Sequence, residues 1–271
     1  MSIIRILAAF VVVPLAAAAG LSAQTGGNIS RPSDNDVKTF VKQTRDNADR
    51  FVDALDGKVK DSTLRGPGGE TKVSKYLDDF RDELKRTEER FKPDYSASTE
   101  VRDVLRRGTE MNTYFRAQPR GMKGESEWNR VADDLTRLAG IYGTTFPVTP
   151  DVTVRRMNDK ELATLVDGFS KRSDALRKSV DDALKLDKTV DAPTRTKIVG
   201  EIDLLTKDAK ALKSRLSDGQ PTSAEAERMF EHAQKVKDLI AARTYGTPVT
   251  AAWSPMNADL KTVAGTFGRS W

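Results

Sequence analysis

Cysteine is absent from all 271 residues. That absence excludes disulfides, a thiolate nucleophile, an iron–sulfur cluster and covalently attached c-type haem, so stability has to come from packing. Histidine occurs once, at position 232. Aromatic residues are only 7% of the chain, which leans away from β-sandwiches and towards helices filled with Leu, Val and Ala. A large charge of one sign is also missing: 45 basic residues stand against 40 acidic ones, a net charge of +5. The two signs alternate as on solvated helix faces instead of gathering in one tail, which argues against a dedicated nucleic-acid binder. No Gly-rich phosphate loop, nucleophile elbow or zinc-ligand spacing occurs.

What is present begins with an N-terminal stretch, residues 1–23, that has one basic residue (Arg5), an apolar run from Ile6 and small residues ending in Leu21-Ser22-Ala23. This is the pattern of a secretory signal peptide, with cleavage after Ala23 or, alternatively, after Ala19. Its removal takes away Arg5 and no acid, leaving +4. The expected location is periplasmic or secreted, with no transmembrane span once the signal is gone. Residues 24–32 read as a short polar tether.

Beyond the tether, apolar residues recur in steps of three and four, the spacing of amphipathic helices. Ser33 with Asp36 resembles a capping box, and the stripe from Val37 through Phe40, Val41, Phe51 and Leu55 to Val59 predicts a first helix. Arg65-Gly66-Pro67-Gly68-Gly69 stops it as a turn. A second helix carries Val73 to Phe91, and a third runs from Ser98 until before Pro119. A fourth contains Trp128, with Gly143 closing it as a left-handed cap. Thr144 to Val154 has two prolines and no helical period, and Phe146, Val148, Val152 and Val154 alternate. It predicts an extended linker, 144–157, laid across the helices.

From Asn158 the same sequence of elements recurs. Asn158 and Glu161 form a capping box, Asp191 and Pro193 open the next helix, Thr222 and Glu225 cap another, and the last is expected to start after Ser254 with Pro255 at its first position. The two stretches align at one offset, 125 positions, without a gap: about 21 of about 110 positions are identical, an excess that reads as internal duplication. The expected fold class is all-α, two tandem antiparallel four-helix bundles spanning 33–143 and 158–271.

The strongest match is WNRVADDLTRLAGIYG (Trp128 to Gly143) with WSPMNADLKTVAGTFG (Trp253 to Gly268). Trp128, Trp253, Tyr142 and Phe267 are the candidate interaction or bundle-end residues. The tryptophans read either as anchors for a partner or as flat rings closing the bundle ends. His232 lies one position off its helix stripe, and its counterpart is Arg107. The residue three before it is Met229, so it lacks the Glu-x-x-His spacing of helical di-metal sites. The paired acids Asp78-Asp79, Asp133-Asp134 and Asp181-Asp182 point about 100° apart on a helix and form no ready acid–base pair. No catalytic, cofactor or metal residue is assigned.

The repeated Trp-x6-Leu-x3-Ala-x2-[Tyr/Phe]-Gly helix resembles one found in uncharacterised exported bacterial proteins of helical-bundle type, and the resemblance implies no activity. These observations together predict a non-enzymatic binding or scaffold module of the cell envelope. It would act through helix faces or the groove between the bundles on an envelope protein. The alternative is electrostatic association with a polyanion such as anionic lipid, polysaccharide or DNA. A cofactor-free enzyme would instead require a pocket gathering inward carboxylates with Tyr142 or arginine side chains.

Overall fold

Ser33 and Asn158 open long helices by the same device. Each side-chain oxygen accepts the backbone N–H three residues on, from Asp36 or Glu161, and that residue's carboxylate accepts the cap's own N–H. The computed structural model describes residues 31–271 apart from 67 and 68. The expected signal peptide, 1–23, and residues 24–30 of the expected tether lie outside the described residues.

Helix α1 (Asp34–Ala54) is followed by a short α2 (Gly57–Lys60), a hairpin of β1 (Thr63–Gly66) and β2 (Gly69–Lys72), then α3 (Val73–Arg90), α4 (Ser98–Arg116) and α5 (Glu125–Ile141). The second half holds α6 (Asp159–Leu186), α7 (Ala192–Ser217), α8 (Ser223–Ala241) and α9 (Thr247–Thr266). The chain is all-α but for the one hairpin among the described residues.

In the first half α1 packs on α3 and α5, and α4 packs on the same two. In the second, α7 packs on α6 and α8, and α9 on α6. Each half has its own core. One runs from Val37 to Val148, the other from Leu162 to Phe267. The linker belongs to the first core: Val148 is buried, and Phe146, Val152 and Val154 pack against it, as their alternation predicts. Among the described residues no helix is long and apolar enough to cross a membrane.

Four local expectations fail, each for an identifiable reason. The first helix stops at Ala54 and does not reach Val59, because Asp56 caps α2 by accepting the Lys58 N–H at 2.8 Å and the chain turns there. The stop expected at 65–69 follows a strand and not a helix: β1, which ends at Gly66, pairs antiparallel with β2, which begins at Gly69. Leu64, 3% exposed, tucks the ribbon onto the first core, and Gly69 has a φ of +104° that only glycine adopts readily. Thr222 makes no side-chain cap, since Glu225 pairs with Arg215 and Arg228. The last helix starts at Thr247, with Pro248 in its first turn, so Pro255 lies inside it, and the missing donor falls on an exposed face.

Candidate functional site at the junction of the halves

The two apolar cores do not merge, and what joins the halves is polar. Arg31 bonds the carboxylate of Asp159, and Arg156 bonds that of Asp34. The Asp34 N–H donates to Asp159 Oδ2 at 2.8 Å, and the Asp159 N–H donates to Asp34 Oδ2 at 2.9 Å. Arg31 Nη2 donates to the Met157 carbonyl at 2.7 Å, and Arg156 Nη2 to the Pro32 carbonyl at 2.9 Å. Every bond recurs with its partners exchanged at the 125-position offset. The junction therefore has the form of a two-fold interface closed within one chain.

The physical reason lies in the helix ends. Asp34 and Asp159 are the first residues of α1 and α6, which meet N-terminus to N-terminus. Their unsatisfied N–H groups and like dipole ends would repel. Each aspartate offsets this by capping the opposite helix. The guanidiniums are enclosed, with side-chain exposures of 3% for Arg31 and 4% for Arg156. Burial, and secondarily the positive charge of Arg156, push the Arg31 pKa below its ordinary value. The aspartates and the two carbonyls are what make burying these charges tolerable.

This crossed cluster separates two cavities. On the aspartate side is one of about 770 Å³, where Lys38, Lys92, Lys160 and Lys213 alternate with Asp34, Asp159, Asp167 and Asp218. On the arginine side is one of about 590 Å³. Its walls hold Arg31, Arg137, Arg155 and Arg156 and no carboxylate. Size does not decide between them. The larger cavity carries both signs on its walls, whereas the smaller is lined by cations alone; Arg31 and Arg156 are neutralised by Asp159 and Asp34, so its uncompensated charge comes from Arg137 and Arg155, in a concave space where fields are strongest. Arg137 lies 4.5 Å over the Phe40 ring, and neither Arg137 nor Arg155 has an ion-pair partner among the described residues. The Arg155 N–H donates to the Tyr142 carbonyl at 3.3 Å, which fixes its backbone beside the end of α5.

The glycines of the repeated motif also line this cavity: Gly140 and Gly143 from α5 and its cap, Gly265 and Gly268 from α9 and its cap. Gly143 and Gly268 have φ of +71° and +66°, the left-handed helix ends their position predicts. Gly140 and Gly265 are different. Both are helical and exposed, and a Cβ on either would meet nothing within 4 Å. Internal packing does not require glycine there, although glycine weakens a helix.

The predicted aromatics lie elsewhere. Trp128 is 3% exposed, packed against Phe51 and Phe115 at 5.3 Å, and its indole N–H donates to Asn112 Oδ1 at 3.3 Å. Trp253 is only half-buried, because the counterparts of Phe51 and Phe115 are the smaller Leu176 and Ile240. Tyr142 and Phe267 are buried. Tyr142 Oη donates to the Ser96 carbonyl at 2.5 Å and the Ser96 hydroxyl to the Arg156 carbonyl at 2.8 Å, so Tyr142 supports the junction from behind. Burial pushes its pKa upward. The structure therefore places Trp128, Tyr142 and Phe267 inside their own half, unavailable as anchors for a partner.

His232 bridges α8 to α7, with Nδ1 2.9 Å from Glu201 and Nε2 3.6 Å from Asp208. Its counterpart Arg107 faces Asp79 and the Tyr76 ring. Among the described residues no three His, Cys, Asp or Glu side chains gather as a metal-ligand set.

Sequence reasoning placed Arg31 in a tether and Arg156 in a linker and so missed the junction. The available signal was the Arg-x-x-Asp that stands at both 31–34 and 156–159. Comparison with protein-family models, with curated proteins and with solved structures finds no match for this chain.

Proposed function

We propose that this chain is an exported, non-enzymatic binding module of the cell envelope, built by internal duplication, that holds a small anionic ligand in the arginine-lined cavity between its copies. One observation carries the reading: a cavity of about 590 Å³, within the size range of small-molecule sites, has in its walls two arginines without an ion-pair partner among the described residues, Arg137 and Arg155, and no carboxylate. Arginine's planar fork suits carboxylate and phosphate groups. The cavity gathers cations without the carboxylates that general acid–base chemistry would use. Export rests on the signal-like residues 1–23, and duplication is supported by the bonds that recur with exchanged partners.

Titration calorimetry of the chain from Gln24 onward with cyclohexanecarboxylate and phenyl phosphate, at low ionic strength, tests the reading. Binding that weakens roughly tenfold or more in the Arg137→Gln, Arg155→Gln double variant is the expected result. Absence of binding, or binding the double variant leaves intact, overturns it. Retention on anionic vesicles or DNA that survives the double variant would return the reading to diffuse polyanion association, weakening steeply with salt.

A further inference from the structure

The cavity has a two-fold frame but unlike walls. Gly140 and Gly265 occupy equivalent positions on its floor, as do Arg31 and Arg156 behind it. At the flanking positions the halves differ. The α5 wall presents Arg137 and Ile141, and the linker adds Arg155, whereas the equivalent α9 positions are Thr262 and Thr266.

Those two threonines sit one helical turn apart, on the same face as each other and on either side of Gly265. Thr262 Oγ1 donates to the Ala258 carbonyl at 3.1 Å and Thr266 Oγ1 to the Val263 carbonyl at 2.7 Å. With their protons engaged, both hydroxyl oxygens turn lone pairs to any neighbour, and so accept hydrogen bonds. One wall therefore offers fixed positive charge and the other offers acceptors. Between them lie Gly140 and Gly265, with no side chain to hold a ring away.

We infer that the ligand is a hydroxylated acid of sugar-acid type, with its acidic group against Arg137 and Arg155 and its hydroxyl donors against Thr262 and Thr266. This rests on the anion-binding reading above and adds the second wall. A plain carboxylate satisfies only the arginine side, and a neutral sugar leaves two unpaired arginines without a counter-charge. Each threonine oxygen that a ligand hydroxyl matches adds one net hydrogen bond.

The test is calorimetric titration of the chain from Gln24 onward with three probes: glucuronate, cyclohexanecarboxylate with the same charge and a six-membered ring but no hydroxyls, and neutral methyl glucoside. Glucuronate is expected to bind roughly tenfold tighter than cyclohexanecarboxylate, the worth of two net hydrogen bonds, with methyl glucoside showing no heat of binding. In the Thr262→Val, Thr266→Val variant, whose fold is checked by circular dichroism, the ratio should collapse to about twofold or less with the cyclohexanecarboxylate affinity kept. Equal binding of the two carboxylates to the unaltered chain, or a ratio the valines leave unchanged, overturns the inference while the anion reading stands. If neither carboxylate binds, both fall.

Discussion

Replacing Gly140 and Gly265 by alanine separates a packing role from a ligand role, because the two predict opposite signs. Neither Cβ would meet a heavy atom within 4 Å, and both glycines are exposed and helical. Each is the penultimate residue of its helix, α5 or α9, so the gain sits at the low end of the Gly-to-Ala scale, about 0.5 kcal/mol. Together they should stabilise the chain by about 1 kcal/mol, or raise Tm by roughly 2–4 °C for a protein of this size. The added methyls project where the cavity floor is, so affinity for glucuronate should fall by roughly tenfold, about 1.4 kcal/mol. Scanning calorimetry and titration on the same preparation read both quantities. Gly108→Ala is the control: its Cβ would lie 2.4 Å from Leu135 Cδ1, so overpacking costs about 1–3 kcal/mol and Tm falls. A lower Tm in the double alanine variant would refute the claim that these glycines are sterically free. A higher Tm with undiminished binding would remove them from the site.

Three further outcomes follow from the geometry. Arg156→Leu leaves Asp34 partly buried without its guanidinium and should cost about 3 kcal/mol, and since the two cores are separate, calorimetry should then resolve two transitions. His232→Arg, which installs the residue found at the equivalent position 107, should change stability by less than about 0.5 kcal/mol, whereas His232→Leu, which leaves Glu201 to Lys235 and Asp208 to Arg228 alone, should lose about 1 kcal/mol in chemical denaturation. Acid should loosen the second half first. Hydrogen bonds from Lys171 and Lys213 hold Asp167 at about 2 against an ordinary 3.8, and hydrogen bonds likewise depress Asp181, Asp187 and Asp191. A depressed carboxylate stabilises the fold above its unfolded pKa, and that contribution is lost as pH falls through the folded value. Asp134 in the first half shifts the other way, raised chiefly by burial, so its protonation relieves the fold. Hydrogen exchange between pH 4 and pH 2 should show α6 and α7 losing protection before α1 and α5.

Where one periodicity dominates, the sequence was readable. The stripe at Leu162, Val166, Phe169 and Leu176 specifies α6, and its capping box specifies where it starts. The linker's alternation likewise foretold which of its residues reach the core. Legibility failed where two local signals compete. Asp56 as a cap outweighs the continuing stripe to Val59, and Thr247-Pro248 starts α9 before Pro255 can. It failed again where equivalent residues have unequal neighbours: Trp128 and Trp253 match in sequence, but only the first has Phe51 and Phe115 around it. The site was least legible. An arginine read from sequence is presumed solvated, and only the fold brings four of them into one cavity.

A further pair of equivalent contacts, one within each half, shows how the halves differ. Asn47 donates to Asp134 at 2.7 Å, and at the equivalent positions Arg172 donates to Asp259 at 2.7 Å. Here the partner changed, from a neutral amide to a guanidinium, while the brace from α5 or α9 back to α1 or α6 stayed the same. At the cavity walls the opposite holds: Arg137 against Thr262 and Ile141 against Thr266 keep the backbone frame and change what the surface offers. A brace tolerates exchange only if the contact survives. A wall with no internal partner is free of that requirement, and the differences there alter charge, hydrogen-bond sense and hydrophobicity together. That is the pattern expected where a symmetric frame holds an asymmetric molecule, and it is why the arginine side, not the larger cavity with carboxylates in its walls, is the place to look for the ligand.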